Sequence, residues 1–218
     1  MIDSSPCEVQ IKSSKRVREH GEVLTARREV EAMLDLVKNE SERIDSRFLE
    51  PACGDGNFLV AILERKLKIV SLRYRRKQAD FESQMLLAIS SIYGIDLLED
   101  NIKLAQGRLF EIACQAYKDN LKKYPNEDFK NILKFILEKN ILQGDSLNGI
   151  DKIIFTQWSL NNYKFNRIEY AFTSLDKDNV APMFRNEILN DKNELVYIPQ
   201  ELKIYPYVHY KKLLEVQE

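Results

Sequence analysis

Between Phe48 and Val60 the chain reads FLEPACGDGNFLV: an apolar run ending in an acid, a bend of small residues, and two glycines separated only by Asp55. Gly54 and Gly56 permit positive φ and let backbone come close to a ligand with no Cβ between. Glu50, Asp55 and Asp96 make the surroundings acidic, which disfavours a pyrophosphate and favours a ligand with positive charge and ribose hydroxyls. NAD and ATP therefore fit poorly. S-adenosylmethionine fits better, because its ammonium and sulfonium are cationic and its ribose diol needs a carboxylate acceptor. Asp96 is placed to supply that acceptor, and Asp145 in LQGDSL to accept a hydrogen bond from an adenine amino group.

Each position also has a plainer role. The glycines serve an ordinary tight turn, Asp96 caps a following helix through Asn101, and Thr25 caps the helix after it. Cys53 reads as a small buried residue rather than a nucleophile, since no base stands beside it.

The elements that must position these residues follow from periodicity. Val30, Met33, Leu34 and Val37 recur at helical spacing, predicting a helix over 26–39. Arg47 to Glu50 is a short strand entering the glycine turn, and Phe58 to Val70 a helix leaving it. Ile92 to Asp96 is a second strand, followed by helices over 101–117 and 129–139 and a brief strand over 140–143. IDKIIF and FNRIEYAF are further strand candidates. Pro182, Pro199 and Pro206 punctuate a last stretch that the pattern leaves unassigned. Strands alternating with helices imply an α/β sheet with helices on both faces, whose ligands sit at the carboxyl ends of the strands.

At 218 residues the chain suits a single domain, 1–218, with a cofactor-binding half over about 20–150, a divergent part over 151–218, and no room for a separate target-recognition domain. Apolar residues make up 44% and charged residues 31%, which argues against disorder. No window suits a membrane span or a signal peptide, so a cytoplasmic protein without a membrane partner is expected. Cys7, Cys53 and Cys114 are too scattered for a disulfide framework or a metal site. The net charge of −1 offers no global attraction to nucleic acid; the local exception is the basic run from Arg65 to Lys77. That run contacts phosphates or is simply a solvated face of an extended helix or loop.

On these residues the chain resembles the adenine-specific DNA methyltransferases of restriction-modification systems. FLEPACGDGNFLV is similar to their first motif, and HGEVLTARREVEAML, His20 to Leu34, to the one that precedes it. YGIDLLEDNIKLAQGRL, Tyr93 to Leu109, resembles the ribose-binding segment and LQGDSL the adenine-binding one. All four occur in the family's order. The resemblance implies a Rossmann-like, S-adenosylmethionine-dependent methyltransferase fold with a central, mostly parallel sheet. It implies that Thr25 lines the methionine end, that Glu50, Pro51, Cys53, Gly54 and Gly56 form the cradle, and that Asp96 holds the ribose. Asp145 and Ser146 would meet the adenine. Ala26 departs from the family, which has proline there.

The catalytic half is not legible. The family carries Asn or Asp, Pro, Pro and an aromatic after its fourth strand, and no two prolines are adjacent anywhere in this chain. Two registers place TQWS, Thr156 to Ser159, or AFTS, Ala171 to Ser174, at that position. In the first, Gln157 could accept a hydrogen bond and Trp158 stack on a flipped base, with Asn161, Asn162 and Tyr163 behind; equally, Trp158 is a core or interface aromatic. Two readings follow: a DNA adenine methyltransferase or methylase subunit, acting on DNA alone or through a specificity partner, or a degenerate cofactor-binding protein that regulates or scaffolds such a complex. Methylation of RNA or protein is a weaker third, and a homo-oligomer is compatible with all.

Overall fold

Val30 and Leu34, one helical turn apart, are buried on the inner face of α1 (Arg27–Leu36), and the single turn α2 (Lys38–Ser41) follows it. The computed structural model describes residues 18, 25–148, 152–171, 186–189, 195–198 and 201–216. Residues 20–24, which open the His20–Leu34 segment, and 172–174 of the AFTS register lie outside them, as do Pro182 and Pro199. The N-cap of α1 is Ala26, with extended backbone and no capping side chain, so Thr25 stands one residue too early to cap it.

Three short strands form a parallel sheet in the order β1 (Phe48–Glu50), β2 (Ile92–Asp96), β3 (Ile141–Gln143). Its register sets Glu50 beside Gly94 and Asp96 beside Gln143, which aligns the carboxyl ends. Two helices make each crossover: α3 (Asn57–Tyr74) and α4 (Gln78–Ser90), then α5 (Glu99–Leu121) and α6 (Glu127–Asn140). The basic run forms the second half of α3 and its joint with α4. A side-chain cap starts α6, where Asn126 accepts from the Phe129 N–H at 3.0 Å.

The two faces of this sheet differ. Ile92 and Ile141 share one core with the apolar residues of all the long helices. Tyr93, Ile95 and Leu142, pointing the other way, form a separate apolar cluster with Ile153 and Phe155, and the Tyr93 hydroxyl donates to the Thr156 carbonyl at 2.9 Å. Helices on both faces, the arrangement expected from the alternating pattern, are therefore not what the described residues show: a strand covers the second face.

That strand is β4 (Ile154–Asn161), which pairs antiparallel with β5 (Lys164–Ala171). Asn162 and Tyr163, both at positive φ, join them in a two-residue turn. Such a turn commits the pair to a hairpin, because a parallel pairing would need a long crossover. These strands thus start a second sheet instead of extending the first. A small hairpin, β6 (Asn186–Leu189) with β7 (Leu195–Ile198), stands apart from it, while β8 (Glu201–Ile204) and β9 (Val208–His209) both pair with β5. A 3-10 helix, Tyr210–Glu215, then returns to the main core. Its Tyr210 hydroxyl donates to Glu82 Oε2 at 2.5 Å and the Tyr117 hydroxyl to Glu82 Oε1 at 2.7 Å, so one buried carboxylate joins α4, α5 and the C-terminal helix.

Candidate functional site

A cleft of about 390 Å³ opens at the carboxyl ends of the parallel strands. Sequence dictates its floor. Gly54 and Gly56 adopt φ of 54° and 90°, values that L residues with a Cβ rarely hold. Gly56 then caps α3, and a Cβ there would stand 3.0 Å from the Ala105 Cβ of α5. The bend is thus small because two helices converge on it.

Asp96 organises this bend. Its Oδ2 accepts from the Gly54 N–H at 2.9 Å, and its Oδ1 accepts from the Leu98 N–H at 2.9 Å and from Asn101 Nδ2 at 3.1 Å. The helix-capping role and the place in the cleft coexist. Behind them the Cys53 N–H donates to the Ile95 carbonyl at 2.8 Å, and burial, with Asp96 and Glu50 nearby, pushes the Cys53 thiol up to about 12. A thiol held protonated is no nucleophile.

Thr25, Glu50, Pro51, Cys53, Gly54, Asp96 and Asp145 all line the cleft; Gly56 does not, though its neighbours Asp55 and Asn57 do. Burial holds the Glu50 carboxyl above its ordinary range, against one backbone bond from Ala52. Asp145 turns its carboxylate onto its own loop, accepting from the Leu147 and Asn148 N–H groups at 2.9 Å, and these bonds lower its pKa. Ser146 Oγ donates to the Pro51 carbonyl at 2.9 Å and so clasps that loop to the glycine turn. Asn57 Nδ2 holds the Thr25 carbonyl at 3.2 Å. Among the described residues, no lysine or arginine lines the cleft. Arg108 reaches Asp55 from α5, with Nη1 3.1 Å from Oδ1 and 2.9 Å from the backbone carbonyl.

Two supporting residues escape motif reading. Gly94 sits inside β2, where an added Cβ would lie 2.7 Å from Leu59 Cδ1 and 3.0 Å from Cys53 Sγ. A glycine within a strand pattern is the available signal for such close approach. Arg108 carries no local signal, because its partner is far away in sequence.

Gln157 and Trp158 do not join the cleft. Trp158 is buried at the amino ends of the strands, where its Nε1 donates to Asn140 Oδ1 at 2.8 Å. Phe135 and Phe165 pack edge-on against its ring, with centroids 6.1 and 6.4 Å away. Gln157 is paired within the hairpin opposite Ile168. The strand that carries them runs down the back of the sheet, which removes the TQWS register from the cofactor end. Asn161, Asn162 and Tyr163 turn the hairpin beyond them, and Tyr163 OH is bonded to Asp80 and Lys77 on α4 and the joint before it.

A glycine bend, a strand-terminal carboxylate and an acidic cleft over parallel strands define an α/β arrangement with an open cleft at the strand ends. A family model described as MmeI, DNA-methyltransferase domain, matches residues 24–177. The chain belongs to that family, whose span includes every cleft residue named above and the β4–β5 hairpin. No curated protein and no solved structure matches the chain. Among the described residues, no helix is long and apolar enough to cross a membrane and no cluster suits a metal ion.

Proposed function

We propose that this chain is the S-adenosylmethionine-binding methyltransferase domain of a restriction-modification system and methylates the adenine amino group of DNA. The reading is carried by a cleft whose charged groups among the described residues are all acidic, built on a glycine bend that Asp96 holds from the next strand, in a chain of a DNA-methyltransferase family. The donor set fits the cofactor. Glu50 offers charge to its ammonium and sulfonium, and Asp96 keeps lone-pair capacity for one ribose hydroxyl. The Gly144–Leu147 loop, clasped to Pro51, offers a wall for the adenine. When bound, the cofactor supplies the methyl group; the protein's share is to bind and orient it in a Rossmann-like frame.

A specific observation favours a second reading. The family's Pro-Pro tetrapeptide is missing and the sole tryptophan is buried behind the sheet, so nothing described here grips a flipped base. Either a partner subunit completes the reacting centre, or the domain binds cofactor only to regulate or scaffold such a complex. Calorimetry with S-adenosylmethionine tests what the two readings share. Transfer of labelled methyl to DNA, with and without co-purified subunits, separates them: transfer to adenine upholds the enzyme, and tight binding with no transfer leaves the scaffold.

A further inference from the structure

α3 and α5 both start at the cleft and run away from it side by side. At about 1.5 Å per residue they extend roughly 27 and 34 Å, so their far ends lie at the opposite pole of the molecule. Those ends are joined: Asn120 Nδ2 donates to Ser71 Oγ at 2.9 Å, and Lys123 Nζ to Gln78 Oε1 at 2.8 Å. Around the joint stand Arg73, Arg75, Arg76, Lys77, Lys122 and Lys123, all exposed.

The acids nearby do not cancel them. Asp80 is engaged by Lys77 at 3.4 Å and by Tyr163, Asp119 accepts from Gln115 on its own helix, and Glu127 pairs with Lys130. Asp128 is exposed on the neighbouring turn. Among the described residues Arg73, Arg75 and Arg76 enter no ion pair. Exposed guanidinium forks that lack a carboxylate match phosphate oxygens in geometry as well as charge. The chain is nearly neutral overall, so a local group of cations, not the net charge, is what a polyanion would meet here. A polyanion is drawn to such a cluster of exposed cations.

We propose that this pole docks the phosphate backbone of duplex DNA, independent of sequence and separate from the cleft. The assignment of DNA as the polyanion rests on the methyltransferase reading above. The separation, about one α3 length, means that the bound phosphates belong to a stretch of duplex other than the one offering its base. The surface therefore anchors, and the cleft or a partner selects.

Fluorescence anisotropy of the full chain with a labelled duplex, across a salt series, tests this. The wild type is expected to lose affinity steeply with salt. R73Q/R75Q/R76Q should bind at least tenfold more weakly at low salt, its log–log slope shallower by about 0.9 for each phosphate that the variant no longer neutralises. K122Q/K123Q, just past the C-terminal end of α5, should shift in the same direction. Equal affinity and slope in both variants and the wild type would overturn the proposal. So would binding of single-stranded RNA or an acidic protein, but not duplex DNA, at this pole. Calorimetry with S-adenosylmethionine keeps the two readings apart: the variants should bind it as the wild type does, and a wild type that binds none refutes the cofactor reading while the anisotropy result still decides the pole.

Discussion

The backbone N–H of Gly54 donates to Asp96 Oδ2 at 2.9 Å, so the bend after β1 and the acid that ends β2 form one hydrogen-bonded unit. An ionised carboxylate offers about four lone-pair sites. The protein itself fills three of these, leaving room for one ligand hydroxyl. Asp96→Ala therefore removes a ligand acceptor and loosens the bend together. We expect S-adenosylmethionine binding to weaken by about 1–3 kcal/mol, the scale for leaving such polar groups unpaired. Unchanged affinity in calorimetry would place the ribose elsewhere.

Glu50 gives the same site a pH dependence. Burial favours its neutral form, so its pKa lies above the usual carboxylate range, and a cationic ligand prefers the ionised form. Affinity should hold near neutral pH and fall as pH drops through that raised pKa, before an ordinary glutamate would protonate. In Glu50→Gln the fall should flatten and the affinity stay low throughout. A titration of Kd against pH for both proteins checks this.

Much of the cleft is legible in the sequence because its parts are local. FLEPACGDGNFLV and YGID combine strand, bend and acid within a few residues, and β2 falls on the span its pattern predicts. What brings them together is less so. Gly54 meets Asp96 across 42 positions and Arg108 meets Asp55 across 53, pairings that no window of sequence contains. The place of the hairpin is hidden for a related reason. Alternation in IDKIIF and FNRIEYAF identifies strands but not which sheet they join, and the deciding feature, positive φ at both Asn162 and Tyr163, falls on residues that carry no glycine signal.

Ala26, where the family has proline, holds φ of −63° and ψ of 145°, the geometry that a proline ring imposes. Its N–H makes no hydrogen bond to the described residues. Ala26→Pro should stabilise the fold by about 0.4–1 kcal/mol by restricting the unfolded chain. Chemical denaturation, with a shift in midpoint at constant slope, is the measurement.

Gly94 has no freedom of replacement. A Cβ 2.7 Å from Leu59 and 3.0 Å from Cys53 pushes α3 and the glycine bend away from β2. Gly94→Ala should cost about 1–3 kcal/mol, the range for overpacking a tight core, and weaken cofactor binding as well. Gly107→Ala makes the control, since a Cβ at that helical glycine meets nothing within 4 Å. It should raise stability by roughly 0.5–1 kcal/mol.

Lys66 is fully buried at the amino ends of the strands, donating to the carbonyls of Ile44 and Ser46 and to Ser91 Oγ with no carboxylate in contact. Burial lowers its pKa to about 7 from an ordinary 10.5. Between these values the unfolded chain binds a proton that the folded one does not, so folding stability rises with pH across that window. Below it both states are charged and the cost of burying the cation is constant. The stability difference between wild type and Lys66→Met should accordingly be flat below about pH 7 and climb toward pH 10.5, by up to about 1.4 kcal/mol per pH unit. Denaturation of both proteins across that range decides it: a difference independent of pH would mean that the three oxygens keep the ammonium charged.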